Sequence, residues 1–175
     1  MTLTIFFATS TGKTEDVAQR LANLLGGSTD LRDVDSLSSA EEFCAVDAMI
    51  CCVPTWNTGA DSLRSGTSWD SYVEDIPEIS LPGKPVAILG LGDSSSYGDY
   101  FCDAMEELYR AFEASGARMV GTVATDGYTF NESKSVINGR FCGLPIDEDN
   151  EADLTDERLS AWARQFQQEM AAQLT

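Results

Sequence analysis

Short apolar runs alternate along this chain with stretches whose apolar residues recur at helical spacing. Leu3 to Ala8, with Ile5, Phe6 and Phe7 inside it, reads as a buried strand. A polar turn follows, Thr9-Ser10-Thr11-Gly12, and then Val17, Leu21, Leu24 and Leu25 mark a helix that Gly26-Gly27 ends. Ser38 to Phe43 predicts a short helix, and Val46 to Val53 a second buried strand stopped by Pro54. After the turn Leu81-Pro82-Gly83, Pro85 to Leu91 predicts a third strand. Phe101, Met105, Leu108 and Phe112 predict a helix over Asp99 to Ser115, with Gly116 behind it, and Arg118 to Val123 a fourth strand. Leu159, Trp162, Phe166 and Met170 form one stripe of a closing helix over Thr155 to Leu174, with Thr155 as its N-cap and acids in its first turn.

Strands alternating with amphipathic helices imply an α/β protein whose parallel sheet is covered on both faces. Such sheets take ligands at the carboxyl ends of their strands, near the point where strand order reverses. Three polar or glycine-rich segments follow apolar strands: Thr9 to Thr14, Pro54 to Thr58, and Gly92 to Phe101. The fold predicts that they meet at one edge. The stretch from Ala124 to Asn150 is too long for an ordinary connection and predicts an insertion with a role of its own. No repeat, low-complexity tract or linker interrupts the pattern, and residues 1–175 read as one domain.

Composition narrows the partners. The hydrophobic share of 43% supports a full core without metal or disulfide staples. Eleven basic against 29 acidic residues give a net charge of −18, which repels nucleic acid and anionic membranes. The same charge suits a basic protein partner steered from a distance, or simply keeps the chain in solution. The five cysteines are odd in number and lack CxxC spacing, so neither a disulfide frame nor a zinc site is expected. There is no histidine. No apolar run is long enough to span a membrane, and no signal-peptide pattern opens the chain. A cytoplasmic location is expected, or the chloroplast stroma if the chain is a processed algal form.

Chemistry concentrates in the three segments. Thr9-Ser10-Thr11-Gly12-Lys13-Thr14 puts four hydroxyls and several amides between a strand and a helix. A helix N-terminus there holds a phosphate through free amides and dipole, and hydroxyls add neutral donors. The same residues also make an ordinary capped turn. Gly12-Lys13-Thr14 resembles the end of a triphosphate loop, but that motif needs a glycine where Phe7 stands. Gly90-Leu91-Gly92 lacks the third glycine of a dinucleotide fingerprint. A single phosphate, and so a mononucleotide, suits the turn better. Trp56, in Pro54-Thr55-Trp56-Asn57-Thr58-Gly59, stands ready to stack on a flat ring or to pack over the core's end. Tyr97, in the segment Gly92-Asp93 to Asp99 and Phe101, supplies a second aromatic at the same rim. Two aromatics from separate loops, beside a phosphate turn, point to a planar ligand between them.

Taken in order, these segments resemble the long-chain flavodoxins of cyanobacterial and algal type, and the likeness runs essentially end to end. Thr9 to Thr14 is similar to the family's FMN phosphate loop, Pro54-Thr55-Trp56-Asn57 to the loop whose Trp covers one face of the isoalloxazine, and the Tyr97 segment to the loop covering the other. Asp126-Gly127-Tyr128 through Asp147-Glu148-Asp149-Asn150 is similar to the loop that marks long-chain members. Tyr100 departs from the Asn of many relatives, and Ala60 to Ser68 is longer than in the shortest ones. The resemblance implies a flavodoxin-like, doubly wound, five-stranded parallel sheet with helices on both faces and its last strand interrupted by a long loop. It implies a monomeric low-potential carrier of single electrons on non-covalent FMN, with no catalytic residue and no metal.

The resemblance further assigns phosphate to Thr9, Ser10, Thr11, Gly12, Lys13 and Thr14, and the flavin's polar edge to the backbone of Thr58, Gly59, Asp93 or Asp99. The Asn57–Thr58 peptide is expected to face flavin N5. In the family, such carriers replace ferredoxin between photosystem I and ferredoxin–NADP reductase under iron limitation, docking transiently through charge. Asp147, Glu148, Asp149, Glu151 and Asp153 are read as an acidic surface run for that docking. An FMN-dependent quinone or NAD(P)H reductase on the same fold is the alternative. A signalling receiver is set aside, because Thr9-Ser10 and Pro54-Thr55 stand where its acidic residues belong.

Overall fold

The computed structural model describes residues 2–55 and 65–172. Four strands, β1 (Leu3–Phe7), β2 (Thr29–Asp33), β3 (Ala48–Pro54) and β4 (Pro85–Leu91), lie parallel in the order β2-β1-β3-β4. The next place in the sheet is shared. β5 (Arg118–Val120) pairs with Pro85–Ala87 of β4, and β9 (Leu144–Ile146) pairs with Leu89–Leu91. One strand position is thus filled by two short pieces, as the interrupted last strand implies. Between them the chain makes a small antiparallel sheet from β6 (Val123–Ala124), β7 (Val136–Ile137) and β8 (Arg140–Phe141).

Helix α1 (Lys13–Leu25) and the closing helix α4 (Ala152–Ala172) cover one face, where Ile5, Ile50 and Leu89 meet Val17, Leu21, Trp162 and Phe166. Helices α2 (Trp69–Asp75) and α3 (Ala104–Ala114) cover the other, over Phe6, Met49, Cys51 and Ile88. The central strands β3 and β4 are buried along their whole length, which is why they read as continuous apolar runs. Cys51 and Cys52 are fully buried, and burial pushes both thiols up, so they pack as small hydrophobes. Among the described residues no helix is long and apolar enough to cross a membrane.

Several expectations are corrected. β2 escaped the pattern because Thr-Asp-Leu-Arg-Asp carries one apolar residue; it is an edge strand that pairs only with β1. The short helix falls at Ala40–Ala45 as a 3₁₀ turn. Leu24 is exposed, at 45%, and does not join the core stripe. α2 is an element absent from the predicted pattern, although Trp69, Tyr72 or Val73, and Ile76 keep helical spacing. Trp69 is fully buried, stacks on Phe43 with ring centroids 5.8 Å apart, and donates from Nε1 to the Cys52 carbonyl at 2.9 Å.

Two helix starts move. α3 begins at Ala104 and not at Asp99, because the insertion takes the backbone groups just before it. The Phe101 amide donates to Glu132 O at 3.1 Å, and Ser135 Oγ donates to Cys102 O at 2.6 Å. Cys102 itself has φ 54°, which no helix accommodates. α4 begins at Ala152, so Thr155 is no N-cap; it is buried in the first turn and donates to Glu148 Oε2 at 2.8 Å. The preceding turn is closed instead by Asp147, whose carbonyl accepts from the Glu151 amide at 2.9 Å.

Candidate functional site

Strand order reverses between β1 and β3, since β2 lies on one side of β1 and β4 beyond β3 on the other. The segments that leave β1, β3 and β4 therefore emerge together, and they border a cleft of about 250 Å³. From the first turn come Thr11, Lys13 and Thr14; from the second, Pro54 and Thr55; from the third, Gly92, Asp93 and Tyr97. The three predicted segments do meet.

The first turn is shaped by a glycine and one side-chain tie. Gly12 takes φ 92°, a left-handed conformation that other residues adopt only under strain, and its N–H donates to Thr9 Oγ1 at 2.8 Å. Among the described residues no acceptor meets the amides of Ser10, Thr11, Lys13 or Thr14. These donors, the Thr11 and Thr14 hydroxyls and the start of α1 form the donor set a phosphate needs. Thr9 serves by shaping the turn, and Ser10 is exposed beside it. Lys13 is tied to Asp149 by a short ion pair, and that hydrogen bond holds its ammonium above its ordinary pKa against partial desolvation.

The third segment is built differently. Burial pushes the Asp93 carboxyl up, but hydrogen bonds from the Ser96 amide, Asn150 and the Ser95 amide outweigh it, and the group sits below its ordinary pKa. The Asp93 carbonyl accepts from the Tyr97 amide at 2.9 Å. Tyr97 keeps 46% of its surface exposed at the cleft. A Cβ on Gly92 would lie 2.7 Å from Cys102 Sγ and 2.9 Å from Cys102 N, so the chain passes there only as glycine.

Thr9, Ser10 and Gly12 shape the first turn without lining the cleft, and two predicted residues of the third segment, Asp99 and Phe101, do not line it either. Asp99 is turned to the insertion, where Asn131 Nδ2 donates to its Oδ1 at 2.9 Å. Phe101 is buried and stacks on Phe130 with centroids 5.6 Å apart. Its ring belongs to the core beneath the insertion. Trp56, Asn57, Thr58 and Gly59 lie outside the described residues.

Glu148 and Asp149, read from sequence as part of a docking run, line the cleft. Glu148 pairs with Arg20 at 2.7 Å with only 14% of its side chain exposed. Asp147 is wholly buried, and Glu151 is held by Arg158 at 3.2 Å. Asp147, Glu148 and Glu151 are therefore held within the framework, while Asp149 and Asp153 remain exposed. The signal that finds Glu148 and Asp149 is the one that found the other segments: they follow the short apolar strand Leu144–Ile146 at its carboxyl end. No cluster of metal-ligating side chains occurs among the described residues.

The flavodoxin family model matches residues 5–162. The chain is 39% identical over 167 residues to a flavodoxin of Synechococcus elongatus, covering 94% of this chain and 95% of that one. It is 38% identical over 169 residues to flavodoxin 1 of Escherichia coli, covering 95% and 93%. Among solved structures, it is similar to a Fusobacterium nucleatum flavodoxin bound to flavin mononucleotide, with TM-score 0.87, 29% identity, and 96% of this chain and 98% of that one covered.

Proposed function

The chain belongs to the flavodoxin family, and from that premise we propose that it holds FMN without a covalent bond in the cleft and carries electrons singly between larger redox proteins. The observation that carries the reading is the convergence of a turn with free amides and a loop with an exposed Tyr97 on one cleft at the strand-order reversal. The bound flavin supplies the redox chemistry; the residues bind it, orient it and exclude water. The amides of Ser10, Thr11, Lys13 and Thr14, with the Thr11 and Thr14 hydroxyls, hold the phosphate. Tyr97 covers one face of the ring and Trp56 the other. Neutral donors suffice, since Asp149 already engages the Lys13 charge.

A net charge of −18 around the ring disfavours the anionic, fully reduced flavin, so the second electron is expected to enter at low potential. An anaerobic reductive titration tests the function. A long-lived one-electron form in the visible spectrum supports the carrier; direct bleaching to the two-electron form with steady NAD(P)H oxidation supports a reductase.

We propose ferredoxin–NADP reductase and photosystem I as partners, in place of ferredoxin when iron is limiting, with docking led by charge. What supports this is the 39% identity to a cyanobacterial flavodoxin. The E. coli relative stands at 38%, which makes the partner assay the deciding experiment. Electron transfer from photosystem I that saturates at micromolar carrier and slows with salt is the expected result. No transfer above that of free FMN would reject it.

A further inference from the structure

We propose that Asp147 and Asn150 are positioning residues for the Tyr97 ring: they tie the chain that follows β9 to the loop that carries it. The inference rests on reading Tyr97 as the ring that faces the flavin.

Tyr97 is 46% exposed, so its neighbours do not fix its ring by packing; its backbone must do so. That backbone is anchored in steps. The Tyr97 amide donates to the Asp93 carbonyl at 2.9 Å. The Asp93 carboxylate accepts from the Ser95 and Ser96 amides at 3.1 and 2.9 Å, and from Asn150 Nδ2 at 2.8 Å. Asn150 Nδ2 also lies 3.1 and 3.2 Å from the two Asp147 oxygens, and the Asn150 amide donates to Asp147 Oδ1 at 3.0 Å. Asp147 Oδ2 accepts from the Ser94 amide at 3.1 Å and from Ser94 Oγ.

Asp147 is fully buried, and these four donors are all neutral. Burying a carboxylate is costly unless donors replace its water. Each oxygen faces a backbone N–H, so the amide nitrogen of an Asn in this place would meet an N–H in either orientation. Asn150 is equally specific, because its amide nitrogen is the donor that sits between two carboxylates. The carboxyl group holds two loops in register, and Tyr97 rides on one of them.

The test is a double-mutant cycle on the FMN-loaded protein, using D147N, Y97A and the double variant. The readouts are the FMN dissociation constant and the visible circular dichroism of the bound flavin. D147N is expected to weaken FMN binding about tenfold and change the dichroism. In the Y97A background it should change the affinity by less than about twofold. Equal factors in both backgrounds, or unchanged affinity in D147N, would overturn the inference. If D147N does not fold, N150A enters the same cycle, with about a threefold loss that must likewise vanish with Y97A. A Y97A protein that binds FMN as the parent does would remove the Tyr97 reading and the inference with it, an outcome distinct from additivity.

Discussion

The turn after β1 and the loop after β4 border one cleft but are built on opposite principles. In the turn, the backbone amides of Ser10, Thr11, Lys13 and Thr14 meet no acceptor among the described residues, and Thr9 Oγ1 with the Gly12 N–H supplies the internal tie. In the loop, Asp93 and Asp147 gather amides, hydroxyls and Asn150 into a closed set, while the insertion holds the other side through Asn131 N and Glu132 N on the Gly98 carbonyl at 2.8 and 2.9 Å. The difference follows from what each must present. A turn that grips an anion has to leave its donors open. A loop that presents an exposed ring cannot rely on packing, so its backbone is bonded on both flanks.

This contrast can be broken by substitution. The largest effect is expected at Gly92→Val, whose side chain has no room against Cys102. Overpacking of about 2–3 kcal/mol should lower the urea midpoint and loosen FMN together. Next comes Gly12→Ala. The left-handed φ of 92° makes a side chain cost about 1–2 kcal/mol, read as roughly a five- to thirtyfold weaker FMN titration. Riboflavin, which lacks the phosphate, should be far less affected; equal loss for both ligands would contradict the phosphate role.

A smaller effect separates the loops by pH. The Asp93 carboxyl lies below its ordinary pKa in the folded state, so its contribution is present above the unfolded value and is lost as pH falls through the folded one. In acid denaturation, parent and D93N should differ at neutral pH and converge below the folded value; a constant gap would show that charge is not the cause. The smallest effect is expected at Asp149→Asn. Lys13 and Asp149 are 50% and 40% exposed, so releasing the ammonium towards the phosphate should tighten FMN by less than about fivefold, and high salt should erase the gain. Weaker binding would mean that the pair shapes the turn.

Much of this arrangement was legible in the chain. The buried strands announce themselves as Ile5 to Phe7, Met49 to Val53 and Val86 to Leu89, because residues covered on both faces must be apolar. The polar segments after them identify the cleft's rim, since ligand sites lie at strand carboxyl ends. Edges and starts were harder. β2 is nearly all polar, and α3 loses its expected first turn to hydrogen bonds from residues some thirty positions on.

What the sequence by itself determined was periodicity and type: which runs form the sheet, where polar turns follow them, which tyrosine stands at a rim. What the tertiary structure alone decided was the environment of each polar group. Asp147 and Asp149 look alike in Asp-Glu-Asp-Asn, yet one is wholly buried under four donors and the other pairs with Lys13 at the surface. Phe101 falls in the segment that resembles the cofactor loop and yet lies in the core beneath the insertion. Periodicity is a local property of neighbouring residues, whereas burial of a charge depends on donors that the fold brings from more than fifty positions away, as Ser94 comes to Asp147.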